Sequence, residues 1–228
     1  MSINNEVQVL LNSASRYDVC NLEVFEQCVR DQIKFEQYSI INNLAILRLY
    51  MIYPNKMKLD IIQDILLKAL IQSPLSSDFL SCTYQIPLSI QDNPEIKPIL
   101  FLHEMLIDCK FTYMWKFLKS NQLLSTKISR ILGFEDFLRN IVVYTVNNSH
   151  SCISLLVLSE LLDLPTSSNK IIEIIEKNGW RMDIQSGLIR IPAVENNENL
   201  GDTIINKTKC TDDSDIIVKN YLSILNSN

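Results

Sequence analysis

Apolar residues recur at helical spacing from the start of the chain to about Arg130, and the recurrence predicts one helix after another. A first helix uses Ile3, Val7, Leu10 and Leu11. Asp18 stands as the N-cap of a second, with Leu22, Phe25, Cys28, Val29 and Ile33 on its inner face. The third runs from about Ser39 to Tyr53, stops at Pro54, and carries Arg48 as its only charge. A helix apolar on most of its circumference must be covered on several sides. The segments from Ile61 to Ile71 and from Ile99 to Ile107 have the same character, so the pattern predicts helix pairs stacked into a HEAT-like, right-handed array. No repeat is visible in the residues themselves. The connectors are short and carry Pro54, Pro74, Pro87, Pro94 and Pro98, the last just inside a helix start.

The pattern changes from Ser151 to Pro192. Two short helices come first, with Leu155, Leu158, Leu161 and Leu162 facing Ile171, Ile174 and Ile175. Gly179 can close the second in a left-handed conformation. Trp180 to Ile184 and Leu188 to Ile191 then alternate as two strands, with Ser186-Gly187 in the turn. That order is the order of a winged helix. Gly133-Phe134-Glu135-Asp136 is the expected seam with the array and opens a helix to about Val146. After Pro192 the composition turns polar, and a last amphipathic helix from about Ser214 places Val218, Tyr221, Leu222 and Leu225 on one face. The expected fold is therefore mainly α: a helical-repeat domain over residues 1–130, a winged helix over 131–192, and a polar linker with a C-terminal helix over 193–228.

Charge changes what such a fold can do. The second helix of the winged-helix segment, Asn169 to Lys177, sets two lysines against two glutamates and devotes four of its nine positions to isoleucine. Phosphate binding needs an excess of positive charge, and base reading needs polar side chains facing outward. The 228-residue chain carries a formal net charge of −5, which repels a phosphate backbone in bulk. Both features point to protein docking rather than gene regulation. The N-terminal residues lack the pattern of a signal peptide, and no window is apolar enough to span a membrane, so the expectation is a cytoplasmic protein without membrane contact. The six cysteines show no metal-ligand spacing and are read as reduced thiols, and the two sequons as coincidental.

The residues offer no reaction centre. His103-Glu104 begins like a metalloprotease helix, but Ile107 stands where a second histidine would be, and His103 reads as a helix-surface residue. No glycine-rich phosphate loop or Gly-x-Ser-x-Gly elbow is present, and Glu135-Asp136 and Asp212-Asp213 read as helix-start acids. The expectation is a protein with no catalytic residues, no cofactor and no metal. Lys110, Lys116, Lys119, Lys127 and Arg130 fall in a run with no acid, interleaved with Phe111, Tyr113, Trp115 and Phe117. This is the composition of a single-strand nucleic-acid platform, with Lys116, Lys119, Lys127 and Arg130 as its RNA contacts. Phe111, Trp115 and Leu118, however, fall at i, i+4 and i+7, the spacing of a buried helix face, which is the preferred reading. For protein contact the candidates are Val218, Tyr221, Leu222 and Leu225 on the last helix, and Leu188 and Arg190 on an open hairpin strand.

A family resemblance rests on residues spread along the chain. They are Arg16-Tyr17; Asn43-Leu44-Ala45 with Leu47, Leu49 and Tyr50; Ile65-Leu66-Leu67-Lys68-Ala69-Leu70 followed by Pro74 and Asp78-Phe79; Pro98-Ile99; Cys109-Lys110-Phe111 before Trp115; Gly133-Phe134-Glu135-Asp136 with Arg139; and Gly179-Trp180 with Gly187. In this order they resemble the scaffold subunits of the proteasome lid, the COP9 signalosome and eukaryotic translation initiation factor three, and most nearly the k-subunit family of that factor, from Arg16 to Pro192. The segment from Ala193 to Thr211 departs from the pattern. The resemblance implies a non-catalytic scaffold subunit whose partners are the other subunits of the factor, above all the l subunit, and, through the complex, the small ribosomal subunit. A lid or signalosome subunit is the alternative within this architecture; a winged-helix nucleic-acid regulator and a concealed hydrolase are the alternatives outside it.

Overall fold

The computed structural model describes residues 5–35, 37–72, 77–131, 133–183 and 186–192. The order is α1 (Asn5–Leu11), α2 (Leu22–Lys34), α3 (Ile40–Ile52), α4 (Leu59–Gln72), α5 (Ser77–Tyr84), α6 (Leu88–Gln91), α7 (Lys97–Ile107), α8 (Phe111–Ser120), α9 (Gln122–Ile128), α10 (Phe134–Ser149), β1 (Cys152–Ser154), α11 (Leu155–Leu162), α12 (Asn169–Lys177), β2 (Arg181–Asp183) and β3 (Leu188–Arg190). The fold is mainly helical with a small three-stranded sheet. Ile3 and the expected helix at Val218, Tyr221, Leu222 and Leu225 lie outside the described residues.

The helices pack in succession: α2 on α3 and α4, α4 on α5 and α7, and α7 on α8. The apolar character of α4 explains its central place, since Ile61, Ile65, Leu66, Leu67, Ala69 and Leu70 are all fully buried. Phe25 and Val29 of α2 meet Ile46, Leu49 and Tyr50 of α3 in the same core. Ser39 caps α3 by accepting from the Asn42 backbone N–H. Asp18 caps a 3₁₀ turn at Val19–Asn21, not α2 itself: its carboxylate accepts from the Cys20 N–H, and α2 starts only after that turn.

Polar residues are buried between α2 and α3. Gln32 donates to Asn43 Oδ1 at 2.9 Å and accepts from the Ser39 N–H, while Asn42 donates to the Phe25 carbonyl. Glu26, fully buried, accepts from the Tyr50 hydroxyl at 2.7 Å and pairs with Lys58 and Arg30. Its spacing from Leu22 and Val29 places it on the apolar stripe of α2 (positions i, i+4 and i+7), the signal by which the sequence marks it. His103 is also buried, stacked on Phe79 with ring centroids 4.0 Å apart, which corrects the expectation of a surface histidine.

In the second part of the chain β3 pairs antiparallel with both β2 and β1, giving the strand order β1-β3-β2. Periodicity does not predict β1, because three residues are too short for alternation to register. Gly179 closes α12 at φ +66°, with the Trp180 N–H donating to the Ile175 carbonyl and the Gly179 N–H to that of Glu176. These are the two hydrogen bonds of a Schellman cap.

Candidate docking surfaces

The family-bearing residues Trp115, Glu135, Asp136 and Arg139 converge on the C-terminal end of α11. A helix leaves its last carbonyls without intrahelical donors, and its C-terminus favours cations. Here the Trp115 indole N–H on α8 donates to the Leu161 carbonyl at 2.8 Å. Arg139 on α10 donates to the Leu162 carbonyl at 3.4 Å, with its guanidinium 5.4 Å from the centroid of the Trp115 ring. The same guanidinium pairs with Glu135 at 2.9 Å and Asp136 at 3.1 Å on its own helix. Lys119 reaches Asp163, just past α11, at 2.6 Å. Three helices are thus pinned at one point by side chains that also satisfy a helix terminus.

This geometry redistributes the basic run. Lys119 sits at the α11 terminus, whereas Lys110 pairs with Asp108 at 2.8 Å, which pushes its pKa up. Lys116 stands 5.9 Å over the Tyr113 ring. Lys127 and Arg130 act on Asp64 of α4; burial dominates there and holds the Asp64 carboxyl above the usual range, with the two cations opposing. Phe111 and Trp115 are buried and Leu118 half-buried, as the helical spacing requires. The run is acid-free only along the chain; Asp64, Asp108 and Asp163 meet it in space.

The sheet corrects the open hairpin strand. β3 is paired on both sides, so Leu188 and Arg190 have no free backbone edge to offer a neighbour. Their exposed side chains share the face opposite buried Ile189, and Arg190 lies directly across from Arg181. On α12, Ile171 and Ile175 are buried, while Lys170, Glu173, Glu176 and Lys177 are exposed in balanced charge.

Among the described residues no group of three or more His, Cys, Asp and Glu side chains is placed to hold a metal. Burial pushes the Cys82 thiol up to about 12, with Asp78 adding to the effect, so it stays protonated and unreactive near neutral pH. Among the described residues no helix is long and apolar enough to cross a membrane.

Two grooves are lined by apolar side chains. One, of about 550 Å³, lies along α6, α7 and α8 at Leu88, Pro98, Phe101 and Phe117, the two phenylalanines meeting edge to face at 5.2 Å. The other, of about 210 Å³, lies between the Ala14–Tyr17 turn and α3.

Comparison with known proteins gives a consistent picture. The model of the CSN8/PSMD8/EIF3K family matches residues 56–199. The chain is similar to eukaryotic translation initiation factor 3 subunit K of Nematostella vectensis, with 33% identity over 189 residues, 83% of this chain and 85% of the relative. It is 35% identical to the human protein of that name over 187 residues, covering 82% of this chain and 83% of the relative. For the Aedes aegypti protein the identity is 34% over 179 residues, 78% of this chain and 79% of the relative.

Proposed function

The chain belongs to the CSN8/PSMD8/EIF3K family, and from that premise we propose that it is a non-catalytic scaffold subunit of eukaryotic translation initiation factor three, acting in the cytoplasm in assembly of initiation complexes on the small ribosomal subunit. The observation that carries this reading is the similarity to subunit K proteins along more than three quarters of both chains. Its partners are the other subunits of the factor, with the l subunit foremost.

The architecture supports a docking role. Successive packing of α2 through α8 fits a HEAT-like array over residues 1–130, and the order β1-α11-α12-β2-β3 with β3 central fits a winged helix over 131–192. The charge balance of α12 favours a protein partner over nucleic acid. The expected terminal helix lies outside the described residues; a helix of about 12 residues is marginal alone in water, so its apolar face of Val218, Tyr221, Leu222 and Leu225 needs a groove, on a partner subunit in this reading or on the chain itself in the alternative.

Affinity purification from the native cell, followed by mass spectrometry, tests the reading. Initiation-factor subunits and small-subunit ribosomal proteins are expected; lid or signalosome subunits in their place would overturn it. Changing Tyr221→Asp together with Leu225→Asp should release the partner subunits while the helical array stays folded.

A further inference from the structure

Among the described residues, those lining the groove between the Ala14–Tyr17 turn and α3 include two arginines and no acid. α3 is otherwise uncharged, yet it places Arg48 at i+7 from Ile41, on the stripe that also holds Leu44. Arg48 lines the groove with Leu11, Arg16, Tyr17, Ile41 and Leu44. Among the described residues the Arg48 side chain has neither an ion-pair nor a hydrogen-bond partner, while its backbone lies within α3. Arg16 is held by its neighbour alone: its guanidinium donates to the Tyr17 hydroxyl at 2.8 Å and stands 4.7 Å from that ring's centroid. The nearest acid along the chain, Asp18, turns its carboxylate to the Cys20 N–H.

Two guanidiniums beside one small groove repel each other, and an anion placed between them would relieve that repulsion. Arginine also suits the task, since its planar fork matches a carboxylate. The surroundings are apolar and open. Ile41 is 59% exposed, Tyr17 42%, and the stripe continues along α3 to Met51 at 54% and Ile52 at 52%. From Ile41 to Ile52 this face runs about 16 Å, roughly three helical turns. Exposed apolar surface of this extent, edged by two guanidiniums that meet no acid among the described residues, has the complement of a short amphipathic helix with carboxylates along one side.

We infer that the α3 groove is a docking site for an acidic amphipathic helix of another protein, with Arg16 and Arg48 taking its carboxylates and Ile41, Leu44 and Met51 its apolar face. The inference rests on the docking role proposed above and adds the chemistry of a partner. Nucleic acid fits less well: the aliphatic stripe has no use for phosphate, and of the aromatic side chains that stack bases only Tyr17 lines the groove, its ring already covered by Arg16.

The full chain, purified alone, is titrated by fluorescence anisotropy with a capped peptide of three to four helical turns, leucines on one face and glutamates on the other. Its counterpart with glutamine for glutamate, and a single-stranded RNA of similar length, complete the set. The acidic peptide should bind saturably and weaken with salt, and the glutamine peptide should bind about tenfold more weakly. Arg16→Gln with Arg48→Gln should cost the acidic peptide about tenfold, Ile41→Glu a similar loss, and Lys177→Gln nothing. No saturable binding, equal binding of the two peptides, indifference to the arginine pair, or tighter binding of the RNA would each overturn the proposal. The peptide exchange leaves the protein unaltered, so a variant that folds poorly does not blunt the test. Failure here with initiation-factor subunits still co-purifying removes only this site; loss of co-purification removes the reading beneath it.

Discussion

At the scale of single residues, the most consequential groups are buried polar ones. Glu26 is a carboxylate out of water, held by Tyr50, Lys58 and Arg30. Removing a partner from such a cluster leaves the others uncompensated, which costs about 3–5 kcal/mol. Glu26→Ala should therefore lower the unfolding free energy by about 3 kcal/mol in urea denaturation, and Glu26→Gln, which keeps an acceptor for Tyr50, by less. Asp64 gives the opposite sign. Burial raises its pKa in the folded protein, with Asp60 adding and Lys127, Arg130 and Arg30 opposing. The folded chain thus holds this proton more tightly than the unfolded chain, and ionisation as the pH rises works against folding. Asp64→Asn should raise Tm at neutral pH, and its advantage should shrink as the pH falls through the carboxylate range. A Tm difference that does not change with pH would show that burial of Asp64 is not the cause.

Elements were legible where their pattern was long. α2, α3, α4 and α7 fall within a few residues of the spans that apolar periodicity predicts, because each must bury a continuous stripe. β1 was not legible, since its three residues gain strand character only from pairing with β3. The burial of His103 was hidden for a related reason: stacking on Phe79 joins α7 to α5, and nothing local specifies that encounter. The joint at α11 shows the reverse case. Trp115, Glu135, Asp136 and Arg139 were among the residues spread along the chain that carried the family resemblance, and the structure brings them together: they brace α8 and α10 against the end of α11. Trp115→Ala should destabilise the fold by about 3–5 kcal/mol through the lost packing. Trp115→Phe should cost about 1–3 kcal/mol, chiefly by leaving the Leu161 carbonyl unpaired. Both are read by chemical denaturation.

On the scale of the whole molecule, electrostatics and surface decide between readings. A net charge of −5 opposes polyanions in bulk, and the basic run that could have made a local exception is met by acids from other elements. Neutralising Lys116, Lys119 and Lys127 together should therefore leave the salt slope of RNA association by the purified chain unchanged. A shallower slope, by about one unit for each phosphate no longer neutralised, would restore a direct RNA role. The surface that remains, an apolar stripe on α3, a groove at Phe101 and Phe117, and the outer face of the sheet, is what a protein held among other proteins presents.

Hydrophobic spacing and turn residues were enough to predict a mainly helical chain, most helix spans and the closing glycine at Gly179, and the order of residues along the chain carried the family resemblance. Each of these depends on neighbours a few residues apart, or on a linear order of residues that a sequence displays directly. The partners of the basic residues, the central place of β3, the buried charge of Glu26 and the pairing of Arg16 with Arg48 in one groove were set by folding. They depend on encounters between segments far apart along the chain, and burial and electrostatic energy follow distance in space rather than distance in sequence.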